Sequence, residues 1–177
     1  LELGQPGPWA QVLPVDRLEL PKESSKEAAI LWYPGSFAPF HIGHLNCLRV
    51  AKEVLSRTMY IAGAYIQPHP LGHLTYKKLE DKSSILATDA VRLKVLEDVI
   101  SKEDWVMVDP RAILRGKGSN LEHLRALRRN LQAAREHVLR QSGDVFKSLE
   151  IIWVMGDDAF PHFRQKFIEN PQSWHKK

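Results

Sequence analysis

Two histidines three residues apart, His41 and His44, open an amphipathic stretch directly behind a turn punctuated by Gly and Pro, Gly35-Ser36-Phe37-Ala38-Pro39-Phe40. Imidazoles at that spacing occupy neighbouring positions on the first turn of a helix. The unpaired N–H groups and positive dipole end of such a helix attract anions. The chemistry this pattern suits is polyphosphate binding. Backbone N–H groups near Ser36 and Phe37 would face phosphate oxygens, while Gly35 turns the chain sharply and leaves room for a ligand. Pro39 helps to end the preceding strand. Imidazole donors at His41 and His44 could hold two neighbouring phosphates and stabilise charge as a bond to pyrophosphate breaks. A lone histidine here would read as a surface residue; the whole string from Gly35 to His44, Gly43 included, carries the reading.

The elements that must position this string follow from periodicity. Ala28 to Tyr33 is an unbroken apolar run stopped by Pro34-Gly35, which fits a strand buried on both faces. Ile42, Leu45, Leu48, Ala51 and Leu55 recur at helical spacing. A second strand spans Met59 to Ile66, and residues 67 to 83 read as a loop. Ser83 or Ser84 caps a helix to about Ser101 that places Leu86, Ala90, Leu93, Leu96 and Ile100 on one face. A short strand, Trp105 to Val108, ends at Asp109-Pro110, and Gly116 and Gly118 mark a loop. Residues 120 to 140 form the most regular helix, with Leu121, Leu124, Leu127, Leu131, Ala134 and Val138 as its stripe. Leu149 to Met155 is a further strand, ended by Gly156-Asp157-Asp158, and a last helix runs from about Phe160 to Ile168. Strands alternating with helices predict an α/β fold: a Rossmann-like, doubly wound parallel sheet with helices on both faces. Ligands then bind outside the carboxyl ends of the strands, at residues 34–44, 67–78 and 156–158. Residues 1–27 read as an irregular Pro-containing leader, from which Trp9, Val12 and Leu13 could dock on the core; residues 28–177 form the domain.

Composition narrows the class. The 177 residues are 44% apolar and carry a formal charge of +4, enough for one core and a modest basic excess. That excess suits a phosphate-bearing small ligand and is too weak to argue for nucleic acid. The arginines of the regular helix, Arg125, Arg128, Arg129, Arg135 and Arg140, read as a solvated face. One cysteine, Cys47, rules out an internal disulfide and suits a reducing compartment, cytosol or nucleus. No apolar run approaches the roughly 18 residues of a membrane span. No zinc or iron constellation is evident, and His69 and His73 read as surface histidines in a Pro/Gly loop. The start, Leu1-Glu2-Leu3-Gly4, lacks an initiator Met and a signal pattern, as expected of a trimmed chain or part of a longer one. A homo-oligomer is compatible with the sequence, which does not specify one.

Residues 35 to 44 resemble the G-x-F-x-P-x-H-x-G-H signature of the nucleotidyltransferase superfamily, matching it at Gly35, Phe37, Pro39, His41, Gly43 and His44. The chance of such a match is on the order of one in a million. His41-Ile42-Gly43-His44 is also the literal string of class I aminoacyl-tRNA synthetases, but no Lys-Met-Ser-Lys-Ser string accompanies it. Further segments resemble the nicotinamide or nicotinate mononucleotide adenylyltransferases of the eukaryotic type. These are Ile66-Gln67-Pro68 with Tyr76-Lys77-Lys78-Leu79, Arg92 thirteen residues before Trp105, Trp105-Val106-Met107-Val108-Asp109, and Met155-Gly156-Asp157-Asp158.

That resemblance implies adenylyl transfer from ATP, carried with Mg²⁺, to nicotinamide or nicotinate mononucleotide, giving the dinucleotide and pyrophosphate. It implies nucleotide contacts from Gly156 and Asp158, and mononucleotide contacts from Lys77 or Lys78 and Arg92. Trp105, and Trp174 downstream, would lie on the pyridine ring; an indole face suits such stacking, although the residues alone make Trp105 a core side chain. The resemblance covers roughly residues 28–174, and the family's Ile-Ser-x-Thr-x-x-Arg segment is not found before Lys177. Two alternatives stay open: a sibling such as a cytidylyltransferase or pantetheine-phosphate adenylyltransferase, and a binding module that keeps the pocket without turnover.

Overall fold

A computed structural model describes residues 13–19, 27–76, 88–116, 118–142, 149–156, 160–161 and 164–165, without the side chains of 75–76 and 133–142. Four strands, β1 (Ala28–Gly35), β2 (Tyr60–Pro68), β3 (Val106–Val108) and β4 (Leu149–Trp153), form one sheet in the order β3-β2-β1-β4. All three pairings are parallel. The doubly wound α/β architecture expected from the sequence is the one observed. The chain builds outward from β1 through β2 to β3, then returns to add β4 on the other side of β1. The strand order therefore reverses at β1/β4, the place where sheets of this type open a ligand crevice at their carboxyl ends.

β1 is central because it is apolar on both faces; all its residues but Gly35 are buried. Ala29, Leu31 and Tyr33 face a cluster with Leu45 and Leu48 of α1 (Ile42–Leu55) and Leu96 and Ile100 of α2, here the helix Asp89–Ile100. Ile30 and Trp32 face the other way, against Leu127 and Leu131 of α3 (Asn120–Ser142). The alternation of β1 thus places helices on both faces. A register shift after Ala29 lets Ile61 and Ala64 of β2 both join the first cluster.

Several boundaries differ from expectation. α2 begins behind Thr88, whose side chain accepts the Val91 N–H, not at Ser83 or Ser84, which lie outside the described residues together with Leu86. Thr88 followed by Asp89 is a sound N-terminus, a capping oxygen with a carboxylate on the dipole's positive end. Ala90 is exposed, and the buried positions of this helix are Arg92, Leu96 and Ile100. The segment read as loop after residue 67 holds the end of β2 and a short helix, Leu71–Tyr76, and Arg111–Arg115 forms another before the left-handed Gly116. Both are too short for a helical period to register. Of the expected last helix only 160–161 and 164–165 are described, as helical.

The leader is irregular at 13–19, yet it packs on the domain. Leu13 is buried, and the Tyr65 hydroxyl donates to the Pro14 carbonyl at 2.5 Å. Arg17 reaches three carbonyls, of Ile100 at the end of α2, Glu103 in the turn and Val106 at the start of β3. Trp9 and Val12 lie outside the described residues. Among those described, no helix is long and apolar enough to cross a membrane.

Candidate nucleotide site

The loop after β1 and the first turn of α1 sit at the carboxyl end of the sheet, beside the switch point. Their local fold is written in their own side chains. His41 is the N-cap of α1, and its Nδ1 accepts the Gly43 N–H at 3.2 Å. His44 reaches back so that its Nδ1 accepts the His41 N–H at 3.2 Å. This is a capping box made by two imidazoles. An N–H can only donate, so both Nδ1 atoms are unprotonated and each neutral ring carries its proton on Nε2. The rings lie with centroids 3.8 Å apart. Burial, and then the proximity of His41, holds the His44 pKa below its ordinary value, which favours that neutral tautomer. Two Nε2–H donors thus stand on the first turn at the amino end of a helix, an arrangement suited to anionic oxygen.

His44 is half-buried on an aromatic floor. It stacks on Phe40 at 5.3 Å and meets the edge of Phe37 at 5.1 Å. Phe40 was not singled out from the sequence; an aromatic directly before the first histidine was its only signal. Gly35 has a role other than the one expected. The left-handed residue of the turn is Phe37, at φ 45°. A Cβ on Gly35 would lie 2.6 Å from the Phe37 ring, so the space glycine leaves is filled by Phe37 rather than by a ligand.

Arg92 enters the site differently from the expectation. It is 4% exposed and bonds the backbone of the loop: Nε donates to the Phe37 carbonyl at 3.5 Å and Nη2 to the Ser36 carbonyl. Nη1 donates to the His69 carbonyl at 2.8 Å and to Asp89 at 2.7 Å. Four of its five donors are thus committed to the protein. Trp105 is not brought to the histidines. It precedes β3 at the amino end of the sheet, roughly 13 Å of strand from Asp109 by the usual rise. It is 9% exposed, with the Lys52 ammonium 4.2 Å over its ring and its Nε1 donating to Glu103. So enclosed, the ring packs as a core side chain. Gly156 follows β4, on the far side of β1 from β2, and its carbonyl accepts the Phe160 N–H. Lys77, Lys78, Asp158 and Trp174 lie outside the described residues.

A second polar cluster at the carboxyl ends of β2 and β3 escaped the sequence reading. Asp109 is fully buried and receives Arg111 bidentately, Nε at 2.7 Å and Nη2 at 2.6 Å, together with Gln67 Nε2 at 2.8 Å. Arg111 also donates to the Ala126 carbonyl, tying the strand end to α3. A glutamine closing an apolar strand, and an acid two residues before an arginine, were the available signals. His69 is buried rather than superficial, with Nε2 2.9 Å from Asn120 Oδ1. Among the described residues no group of three or more His, Cys, Asp or Glu is gathered to hold a metal ion.

Comparison with known proteins places this geometry. Proteins from Xylella fastidiosa strains M12, M23 and Temecula1, each named "Probable nicotinate-nucleotide adenylyltransferase", are 28% identical to this chain over 131 residues. The match takes in 73% of this chain and 49% of each of them, so the chain spans about half the length of the curated relatives it matches. The family profile described as Cytidylyltransferase-like matches residues 32–176, from the middle of β1 almost to the last residue. With the parallel sheet and the histidine-capped loop in place, the chain belongs to the cytidylyltransferase-like family of nucleotidyltransferases.

Proposed function

We propose that this site binds ATP and transfers its adenylyl group to nicotinate or nicotinamide mononucleotide, releasing pyrophosphate. The observation that carries the reading is the pair of Nε2–H donors held by the capping box at the amino end of α1. The names of the curated relatives favour the pyridine mononucleotide as acceptor. An oxygen of its 5′-phosphate attacks the α-phosphorus of ATP, and the bond from that phosphorus to the bridging oxygen of pyrophosphate breaks. The attacking phosphate is already ionised near neutrality, so the step rests on alignment and charge stabilisation, not on a general base. His44 Nε2–H donates to the transferring phosphate and His41 Nε2–H to its neighbour. Lys77 and Lys78 offer charge to the acceptor phosphate, and Gly156, Asp158 and Trp174 line the nucleotides.

Mg²⁺ arrives as the ATP complex, largely water-bound. The donor set supports this: Asp89 and Asp109, two described carboxylates at this end of the sheet, are engaged by Arg92 and Arg111.

The test is incubation of the full chain with Mg-ATP and either mononucleotide, with Mg-CTP and pantetheine phosphate as parallel arms. Dinucleotide formation with one pyridine mononucleotide is the expected result. ATP binding without product from either, or product only in the parallel arms, refutes the assignment.

A further inference from the structure

A trans peptide carries its C=O and N–H in opposite directions. Arg92 holds the carbonyls of Ser36 and Phe37, two successive peptides, on one side of the loop. The N–H groups of Phe37 and Ala38 must therefore turn together to the other side. Successive N–H groups on one side of a turn form a concave cradle for anions. Neither N–H makes a backbone hydrogen bond among the described residues outside the regular helices and strands. The turn needs Phe37 at φ 45°, a backbone conformation unfavourable for an L-residue, so something must hold it.

We propose that Arg92 is a positioning residue, whose buried guanidinium sets the peptides of residues 36–38 with their N–H groups presented to a polyphosphate, without itself touching a ligand. Four of its five N–H donors go to protein acceptors, three of them backbone carbonyls. Asp89 completes the brace. Its Oδ1 accepts from Arg92 and its Oδ2 accepts the Leu71 N–H at 3.3 Å. One ion pair on α2 thereby ties the phosphate loop to the turn after β2, so neither can shift without the other. Lysine cannot substitute: a single ammonium lacks the planar fork that reaches two successive carbonyls and a carboxylate at once. This inference rests on the adenylyl-transfer reading only for the identity of the polyphosphate.

The test compares the wild-type chain with Arg92→Lys by calorimetric titration, using the α,β-methylene analogue of ATP with Mg²⁺ and, separately, each pyridine mononucleotide. Arg92→Lys should weaken the analogue about ten- to a hundredfold and leave the mononucleotide Kd within about threefold. The reverse pattern makes Arg92 a direct ligand and overturns the proposal, as does unchanged affinity for the analogue. Amide spectra of the wild-type chain give an independent readout should Arg92→Lys not fold. Phe37 and Ala38 N–H signals should shift on addition of the analogue; their staying fixed while His44 moves also overturns it. The two readings separate cleanly: a weakened analogue with no dinucleotide formed by the wild type sinks adenylyl transfer to a pyridine mononucleotide and leaves the brace standing.

Discussion

In the proposed reaction His44 does two jobs with two atoms, and one substitution parts them. Nδ1 accepts the His41 N–H and closes the capping box; Nε2, across the ring, carries the proton available to a phosphate. In His44→Asn the amide oxygen takes the place of Nδ1 and keeps the cap, while nothing reaches the position of Nε2. His44→Ala loses both. The cap bond contributes about 1 kcal/mol. The ring's contacts with Phe37 and Phe40 contribute about 0.5–1.5 kcal/mol more and vanish in both variants. His44→Ala should therefore unfold about 1 kcal/mol more easily than His44→Asn, read as a lower urea midpoint at equal slope. Turnover should not follow that order. A donor aimed at charge that develops in the transition state contributes about 2.7–4 kcal/mol, so both variants should lose about a hundred- to a thousandfold in kcat. Initial rates of dinucleotide formation at saturating substrates, beside urea curves, give both numbers. If His44→Asn keeps more than about a tenth of the rate, the Nε2 donor is not the catalytic atom. If the two variants unfold together, the capping box is not what orients it.

Two further outcomes follow from the buried charges. Asp109→Asn leaves Arg111 buried against a neutral amide and should cost about 3–5 kcal/mol, whereas Asp109→Asn with Arg111→Met should recover part of that loss; a coupling below about 0.5 kcal/mol in the double-mutant cycle would show that the pair is not a unit. His44 and His123 both have folded-state pKa values held below the ordinary 6.5, His44 by burial and then His41, His123 by burial foremost and by Arg115 and Arg111, with Asp109 and Glu122 opposing. The unfolded chain then binds protons more readily than the folded one, so stability is full above pH 6.5 and falls as pH drops through the folded values. Urea midpoints measured from pH 7.5 downward should stay level and then decline below 6.5, and the decline should flatten in His44→Asn with His123→Gln; an identical decline in the variant assigns the effect to other groups.

The strands were legible because burial on both faces removes polar residues from a run, as from Ala28 to Tyr33, and α1 and α3 because they are long enough to repeat. The one-turn helices at Leu71–Tyr76 and Arg111–Arg115 carry no period, and only Pro70, Pro110 and Gly116 hint at them. At the site, residue types and spacing marked His41 and His44 correctly as neighbours. They did not show how Arg92 and Trp105 pack, both buried, the first on loop carbonyls and the second beside Lys52 and Glu103. An arginine's five donors satisfy loop carbonyls as well as they satisfy phosphate, and an indole fills a core as readily as it stacks on a heterocycle. Only burial and the direction of the bonds separate these uses, and neither is written in a linear string.

The structure supplies a reason for the spacing of the histidine string that ligand chemistry alone does not. Each of its glycines makes room for a side chain two residues away within the same string. Gly35 clears the ring of Phe37, and Gly43 clears the ring of His41, whose Nδ1 and Cε1 would lie 3.0 Å from a Cβ there. Phe37 and Phe40 then floor His44, whose Nδ1 caps the helix that His41 begins. The ten residues from Gly35 to His44 thus fold largely on themselves, with Arg92 closing the open carbonyl side. The donors grouped there are helix N–H groups, two imidazole Nε2–H groups and the peptides of the turn. So many donors at one place suit an anionic oxygen, which can accept from several of them at once. Under the proposed function, the packing of the string and the Arg92 brace together supply the donors that would meet a phosphate chain.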